Sequence, residues 1–158
     1  MKVGVLSDTH LHQLTNEFAH IYDEYLYDKD LILHAGDVVS PEIIDFLKAK
    51  DFYGVHGNMD PLEVKELLPE KRVINLEGYR LGIIHGWGRS DDLEDRILPL
   101  FHNVDVIVYG HSHIASNHTR DGVLFFNPGT ATGYTSSGTH SIGVLELGDY
   151  VRGKIIVL

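Results

Sequence analysis

Short apolar runs alternate along the chain with segments in which apolar residues recur every three or four positions. The runs predict strands at residues 3–6, 31–33, 52–55, 73–76, 79–84, 104–108, 123–126, 141–147 and 150–157. The wider spacing predicts helices at residues 18–26, 41–47, 61–68 and 90–101, with N-caps at Thr15 or Asn16, at Ser40 and at Ser90. Turn dipeptides at 77–78, 121–122 and 148–149 predict hairpins, and the Gly-, Ser- and Thr-rich residues 130–139 predict a loop.

Strands and helices alternate in the first half of the chain, whereas hairpins dominate the second half. Alternation favours parallel strand pairing, and hairpins give antiparallel pairs. Two mixed sheets packed face to face, with helices on the outside, satisfy both halves. The length of 158 residues and the lack of a visible repeat or linker predict one domain over residues 1–158.

The composition limits what the protein can bind. The formal net charge is −10 and no basic stripe is visible, so an extended nucleic-acid track is not expected, whereas a small phosphate compound bound through cations is compatible with the acids. No apolar run approaches the ~20 residues of a membrane span, and the N-terminus runs directly into a strand, so we expect no membrane contact and a cytoplasmic location. The pattern leaves the oligomeric state open, a homo-oligomer included.

Five of the apolar runs end in residues of metal-ligand type. They are Asp8 with His10, Asp37, Asn58, His85, and His111 with His113. Ligands of open α/β sheets bind outside the carboxyl ends of the strands, where side chains from neighbouring strands converge. His111 and His113 are two residues apart, so in an extended segment both imidazoles face one pocket.

The ligand set combines carboxylate, amide and imidazole groups without thiolate, since the chain has 11 histidines and no cysteine. Such a set suits manganese, iron, nickel, cobalt or zinc better than magnesium or calcium alone. Seven ligands are too many for one tetrahedral ion. They suit two ions that share a bridging carboxylate, because its two oxygens can each bind one ion.

These motifs, in this order, resemble those of the calcineurin-like metallophosphoesterases. The matching segments are Asp8-x-His10, Gly36-Asp37, Gly57-Asn58, His85-Gly86 and Gly110-His111-Ser112-His113. The small size, the Gly57-Asn58-Met59-Asp60 form and the Asn127-Pro128-Gly129 turn resemble the compact bacterial and archaeal phosphodiesterase branch. The resemblance covers nearly the whole chain and implies a four-layer α/β/β/α sandwich of two mixed sheets flanked by helices.

The resemblance also implies a role for each residue of ligand type. Asp8, His10 and His113 would hold one ion, Asn58, His85 and His111 would hold a second, and Asp37 would bridge both. It implies two divalent ions per chain, manganese first, with nickel, iron, cobalt or zinc as alternatives. The implied activity is hydrolysis of small phosphodiesters by a hydroxide that the two ions activate, with Asp37, Asn58 and His111 as catalytic residues.

One position departs from the larger members of that family. They carry a histidine, the proposed general acid, where this chain has Met59, and a thioether cannot donate a proton. His12, Asp60 and metal-bound water are the alternative sources of the proton. Asn127-Pro128-Gly129 is most simply a tight turn, and the resemblance implies that this turn lies near the site, where Asn127 would orient a ligand histidine. Trp87 is expected either to wall the substrate cleft or to lie in an ordinary core or interface.

Two other functions fit the same motifs. One is a phosphomonoesterase acting on a small metabolite. The other is a non-catalytic scaffold, because a eukaryotic retromer subunit resembles this fold and uses it for protein binding. All seven ligand positions here carry metal-binding residue types, which favours an enzyme.

Overall fold

The computed structural model describes residues 1–133 and 139–158, so residues 134–138 of the loop predicted at 130–139 lie outside the described residues. The strands are β1 (Lys2–Leu6), β2 (Leu31–His34), β3 (Phe52–Gly54), β4 (Lys71–Leu76), β5 (Tyr79–Ile84), β6 (Val106–Val108), β7 (Ser116–Arg120), β8 (Val123–Asn127), β9 (Ser141–Leu147) and β10 (Val151–Val157). The helices are α1 (Asn16–Ile21), α2 (Pro41–Leu47), α3 (Leu62–Leu67) and α4 (Leu93–Ile97). A π-helical turn at Tyr22–Leu26 follows α1, and a 3₁₀ turn at Leu98–Leu100 follows α4.

The strands form two five-stranded mixed sheets. The first sheet has the order β10-β9-β1-β2-β3, in which β1, β2 and β3 are parallel and β9 and β10 pair antiparallel. The second sheet has the order β4-β5-β6-β8-β7, in which β5, β6 and β8 are parallel and hairpins form both edges. The predicted parallel pairing of the first half and the hairpins of the second half are therefore confirmed.

Apolar side chains fill the spaces between the layers. The core between the sheets contains Val5 and Leu33 of the first sheet and Ile83 and Val108 of the second, all fully buried. A second core lies on the outer face of the first sheet under α1, α2 and α3, and a third lies on the outer face of the second sheet under α4. Strands with two apolar faces thus give the predicted four-layer α/β/β/α sandwich.

The helix starts agree with the predicted N-caps in two of three cases. Thr15 Oγ1 accepts a hydrogen bond from the Phe18 backbone N–H at 3.1 Å, and Ser40 caps α2 in the same manner. The prediction of Ser90 was wrong, because α4 begins after Asp92, whose side chain makes no capping bond. The residues between Ser90 and α4 form a turn instead.

The edge strand β7 is the main element that the apolar pattern missed. Its sequence, Ser-Asn-His-Thr-Arg, has no apolar residue, although it pairs along its whole length with β8. Asp121 and Gly122, both with positive φ, form the tight turn that joins the two strands. A polar strand is tolerated here because an edge position leaves it largely exposed.

The topology brings the ends of five strands to one edge of the molecule. In the first sheet β1, β2 and β3 run in the same direction, and in the second β5 and β6 do. Each is followed by a loop that carries one or two of the predicted ligands. Within residues 1–133 and 139–158, every helix is too short and too polar to cross a bilayer.

Candidate metal centre

Four of the predicted ligands lie together where β1, β2 and β6 end. One ligand atom from each of Asp8, His10, Asp37 and His113 lies within 4.8 Å of the other three. The two carboxylates and the imidazole of His10 are buried, whereas the imidazole of His113 is partly exposed, so the cluster reaches solvent at His113. Oxygen and nitrogen donors of this kind suit a divalent transition metal.

The two oxygens of Asp8 have different surroundings. Oδ2 accepts hydrogen bonds from Ser7 Oγ at 2.5 Å and from the His111 backbone N–H at 3.1 Å. Oδ1 is buried and, in the described part of the chain, accepts no hydrogen bond of acceptable geometry. Its neighbours are the Nε2 atoms of three imidazoles, those of His113 at 3.1 Å and of His10 and His85 at 3.8 Å each. A buried anionic oxygen with three imidazole nitrogens nearby is the arrangement expected of a site that binds a cation.

The electrostatics of Asp8 support its ionised form. Burial alone would raise the pKa of this carboxyl, but the imidazoles of His10 and His113 bring it well below its usual value. The pKa of Asp37 is also lowered, because His85 outweighs the opposing effect of burial. Both carboxylates are therefore charged near neutral pH and available to a metal ion.

Asp37 lies between this cluster and the remaining ligands. Its Oδ1 accepts a hydrogen bond from the Met59 backbone N–H at 2.8 Å. Its Oδ2 lies 3.6 Å from His10 Nε2 on one side and 3.2 Å from His85 Nε2 on the other. One carboxylate thus faces an imidazole of each half of the site.

Asn58, His85 and His111 form the second half. Asn58 Oδ1 lies 3.1 Å from both His85 Nε2 and His111 Nδ1. The other ring nitrogens face backbone carbonyls, with His85 Nδ1 at 2.8 Å from Ala35 O and His111 Nε2 at 2.8 Å from Gly88 O. A carbonyl only accepts, so these nitrogens carry the protons, and His85 Nε2 and His111 Nδ1 are the atoms turned towards the site.

Five of the seven ligand residues have left-handed backbone conformations. Their φ values are 52° at Asp8, 47° at His10, 56° at Asp37, 67° at His111 and 59° at His113. Such conformations cost about 1–3 kcal/mol each outside glycine and concentrate at functional sites. Hydrogen bonds between loops hold them, among them Asp8 N to Gly36 O at 2.9 Å and His10 N to Asp37 O at 3.1 Å.

The model of the calcineurin-like phosphoesterase superfamily domain matches residues 1–150. The chain belongs to this superfamily. A curated relative, a probable metallophosphoesterase of Methanocaldococcus jannaschii, is 36% identical over 161 residues, covering 99% of this chain and 81% of the relative. The superfamily and the cluster of carboxylate and imidazole groups therefore both indicate a metal-binding phosphoesterase.

Solved structures share the fold over the full length. A structure described as a novel archaeal phosphodiesterase is 26% identical, with a TM-score of 0.78 and coverage of 100% of both chains. Wild-type Vps29 of Entamoeba histolytica, solved as a complex with Zn²⁺, is 24% identical with a TM-score of 0.73 and covers 99% of each chain. These likenesses confirm the predicted metallophosphoesterase-like sandwich.

Asp60 lies behind the candidate ligands and accepts hydrogen bonds from the backbone instead of contacting solvent. Its Oδ2 accepts from the N–H groups of Asp37 at 2.9 Å and Gly57 at 2.7 Å, and its Oδ1 accepts from Val39 N–H at 2.6 Å. Burial raises the pKa of this carboxyl, and the three N–H groups act in the opposite direction. Val39 has a φ of 76°, which is strained for a β-branched residue. Asp60 therefore ties the loops after β2 and β3 to each other.

Asn127 braces the loop that carries His111 and His113. Its Nδ2 donates to Gly110 O and to Ser112 Oγ, both at 3.0 Å, and its Oδ1 accepts from Gly129 N–H at 2.9 Å. This loop also needs glycine at position 110, because a Cβ there would overlap Ser7 Oγ and lie 2.7 Å from Asp8 Oδ2. The contacts place Asn127 behind the loop that carries the two histidines.

His34, which the motifs do not include, connects the loops after β1 and β2. It is fully buried, its Nδ1 accepts from Gly36 N–H at 3.1 Å, and its Nε2 lies 3.2 Å from Thr9 Oγ1. Burial lowers the pKa of His34 to about 3, so the ring is neutral at physiological pH. Its signal in the sequence is a histidine at the end of an otherwise apolar strand, three residues before Asp37.

Arg96 of α4 holds the loop after His85, a contact that sequence spacing could not indicate. Its Nε and Nη2 donate to Trp87 O at 3.0 and 2.6 Å, and Nη2 also donates to Arg89 O. The same loop supplies Gly88 O, the partner of His111 Nε2. Arg96 therefore supports the carbonyl that fixes the ring of His111.

The remaining predicted residues lie around the rim. His12 is exposed in the segment between β1 and α1, and within residues 1–133 and 139–158 it is not one of the four residues that form the cluster. Met59 is 56% exposed and contributes its backbone N–H to Asp37. Trp87 is 45% exposed, so it does not lie in an ordinary core, and it lines a cavity beside Asn58 and His85.

Proposed function

We propose that the protein is a metal-dependent phosphodiesterase that hydrolyses small phosphodiesters with two divalent ions per chain. The observation that carries the proposal is the position of Asp37, whose Oδ2 lies 3.6 Å from His10 Nε2 and 3.2 Å from His85 Nε2. A carboxylate between two groups of nitrogen and oxygen donors is suited to bridge two ions. Membership of the phosphoesterase superfamily supports the reaction class.

The proposed ligands divide into two sets that share Asp37. Asp8, His10 and His113 form one set, and Asn58, His85 and His111 form the other. Manganese is the first choice, and nickel, iron, cobalt or zinc are the alternatives. The zinc complex of Entamoeba histolytica Vps29 shows that a protein of this fold holds a metal ion of this class.

The ions would supply Lewis acidity towards the phosphate oxygens and a water activated for in-line attack on phosphorus. The residues of the chain would hold the ions and the phosphate in fixed relative positions. Asp37 fixes the spacing of the two halves, and Asn58 and His111 lie at the more exposed side, where a phosphate approaches. We therefore assign the catalytic role to Asp37, Asn58 and His111.

A diester substrate is favoured because the archaeal structure that aligns over the whole chain is described as a phosphodiesterase. Position 59 carries methionine, so this chain lacks a histidine there to protonate a leaving group, and a substrate with a stable leaving group, which needs little protonation, should react best. We also propose that the protein acts in the cytoplasm and that it binds neither an extended nucleic acid nor a membrane.

Hydrolysis by metal-reloaded protein tests the proposal. Protein stripped with a chelator is assayed against a panel of phosphodiesters and phosphomonoesters before and after addition of Mn²⁺, Ni²⁺, Fe²⁺, Co²⁺ or Zn²⁺. We expect diester hydrolysis that depends on the metal and is lost in Asp37→Asn but not in Asp45→Asn, an exposed acid on α2. Turnover of monoesters alone, or no turnover with any of the metals, would overturn it.

A further inference from the structure

A cavity of about 170 Å³ adjoins the second half of the site. Asn58 and His85 form the wall next to the proposed metal ions, and Ile84 and Trp87 contribute apolar surface. The exposed Lys65 and Glu70 also line the cavity. The cavity is thus continuous with the place where the phosphate would bind, yet it contains groups that phosphate chemistry does not need.

Trp87 is the only tryptophan of the chain, and its side chain is 45% exposed. Its backbone is held in place, because Arg96 donates two hydrogen bonds to Trp87 O at 2.6 and 3.0 Å. A large aromatic side chain that is exposed and anchored beside a site is preorganised to contact a ligand, since little freedom is lost on binding.

We propose that this cavity binds a flat aromatic ring of the substrate's ester group, stacked against the indole of Trp87. The size fits, because an apolar cavity of about 150 Å³ holds benzene. Lys65 offers a donor and Glu70 an acceptor to polar substituents on the ring edge, such as those of a nucleobase. This inference rests on the proposed function, because it places the phosphate of the same molecule over Asn58 and His85.

Binding can be followed directly, since Trp87 is the sole tryptophan and its fluorescence reports a ring stacked on it. The probes are phenyl phosphate, adenosine 5′-monophosphate, methyl phosphate and inorganic phosphate, added to Mn²⁺-loaded protein. We expect the two aromatic compounds to change the emission and to bind more tightly than methyl phosphate by calorimetry. Trp87→Ala should lose about 5- to 150-fold in affinity for the aromatic compounds, as stacked bases do, and keep its affinity for inorganic phosphate.

Matched variants separate stacking from disturbance of the fold. Trp87→Phe keeps a ring and should retain most of the aromatic preference, and Leu62→Ala, another exposed apolar residue, should bind like wild type. If Lys65→Met and Glu70→Gln weaken the binding of adenosine monophosphate but not of phenyl phosphate, the bound ring is a nucleobase. If the two compounds bind with equal affinity in all of these proteins, the cavity recognises a plain aryl group.

Equal affinity for methyl and aromatic phosphates, or Trp87→Ala that binds all probes like wild type, would overturn the inference. The outcome is separable from that of the proposed function. Diester hydrolysis without any ring preference overturns only the aromatic site. Ring-dependent binding without hydrolysis of any diester overturns only the proposed reaction.

Discussion

Replacing Asp60 by asparagine tests whether this carboxylate acts as a brace or as an acid. Three backbone N–H groups, those of Asp37, Val39 and Gly57, donate to its two oxygens at 2.6–2.9 Å. An asparagine of the same shape has one oxygen and one NH₂ group. Its best orientation keeps the oxygen towards the two donors that now share Oδ2 and turns the NH₂ against the third.

The expected loss of stability follows from these contacts. One hydrogen bond to a charged acceptor disappears and leaves Val39 N–H facing another donor, which costs about 1.5–3 kcal/mol. The other two bonds change from a charged to a neutral acceptor and together cost about 1 kcal/mol more. The free energy of unfolding of Asp60→Asn should therefore fall by about 2.5–4 kcal/mol.

Urea unfolding in excess chelator measures this loss without a contribution from bound metal. Asp45→Asn serves as the control and should remain within about 0.5 kcal/mol of wild type, because it lies exposed on α2. A similarly small change in Asp60→Asn would refute the bracing role. If that variant were also to show a steeper dependence of rate on leaving-group pKa, Asp60 would be the proton donor instead.

Three further predictions concern His34, Arg96 and Met59. Burial lowers the pKa of His34 to about 3, so the unfolded chain takes up the proton first as pH falls below about 6.5, and the stability held above that pH is lost towards pH 3. Between pH 7 and pH 5, in chelator, the free energy of unfolding of His34→Gln should therefore decrease by about 2 kcal/mol less than that of wild type. An equal decrease in the two proteins would contradict this. Arg96→Met should weaken Mn²⁺ affinity about 10- to 100-fold, because it releases the loop that carries Gly88 O. Arg89→Met is the control and should bind Mn²⁺ like wild type in calorimetry, since the partner of Arg89, Asp91, is exposed. Because Met59 donates no proton, aryl diesters should react much faster than alkyl diesters, and Met59→His should narrow the gap by up to about 10²–10⁴-fold; equal rates for both diesters in wild type would contradict it.

The convergence of the ligands was predictable because it depends on strand direction alone. Apolar runs identify the strands, and parallel strands carry the residues that follow them to the same edge. Asp8 and Asp37 therefore meet, although 28 residues lie between them. The sandwich followed from the same reasoning, since strands with two apolar faces require cover on both sides.

The supporting contacts were not predictable, because they depend on distances between loops. Asp60 was expected among the proton donors, and nothing in its sequence context shows that three N–H groups from two loops point at it. Arg96 acts on backbone carbonyls, which leave no residue-type signal. The apolar pattern did not predict strand β7, because an exposed edge strand needs no apolar residue.

Equilibrium binding of Mn²⁺ to chelator-stripped protein tests most directly the claim that seven residues hold two ions around a shared carboxylate. The account predicts two ions per chain for wild type. Asp37→Asn should weaken both, because an amide nitrogen cannot replace the oxygen that faces His10 and His85. Saturation at one ion or fewer per wild-type chain, or two ions bound by Asp37→Asn with unchanged affinity, would contradict it.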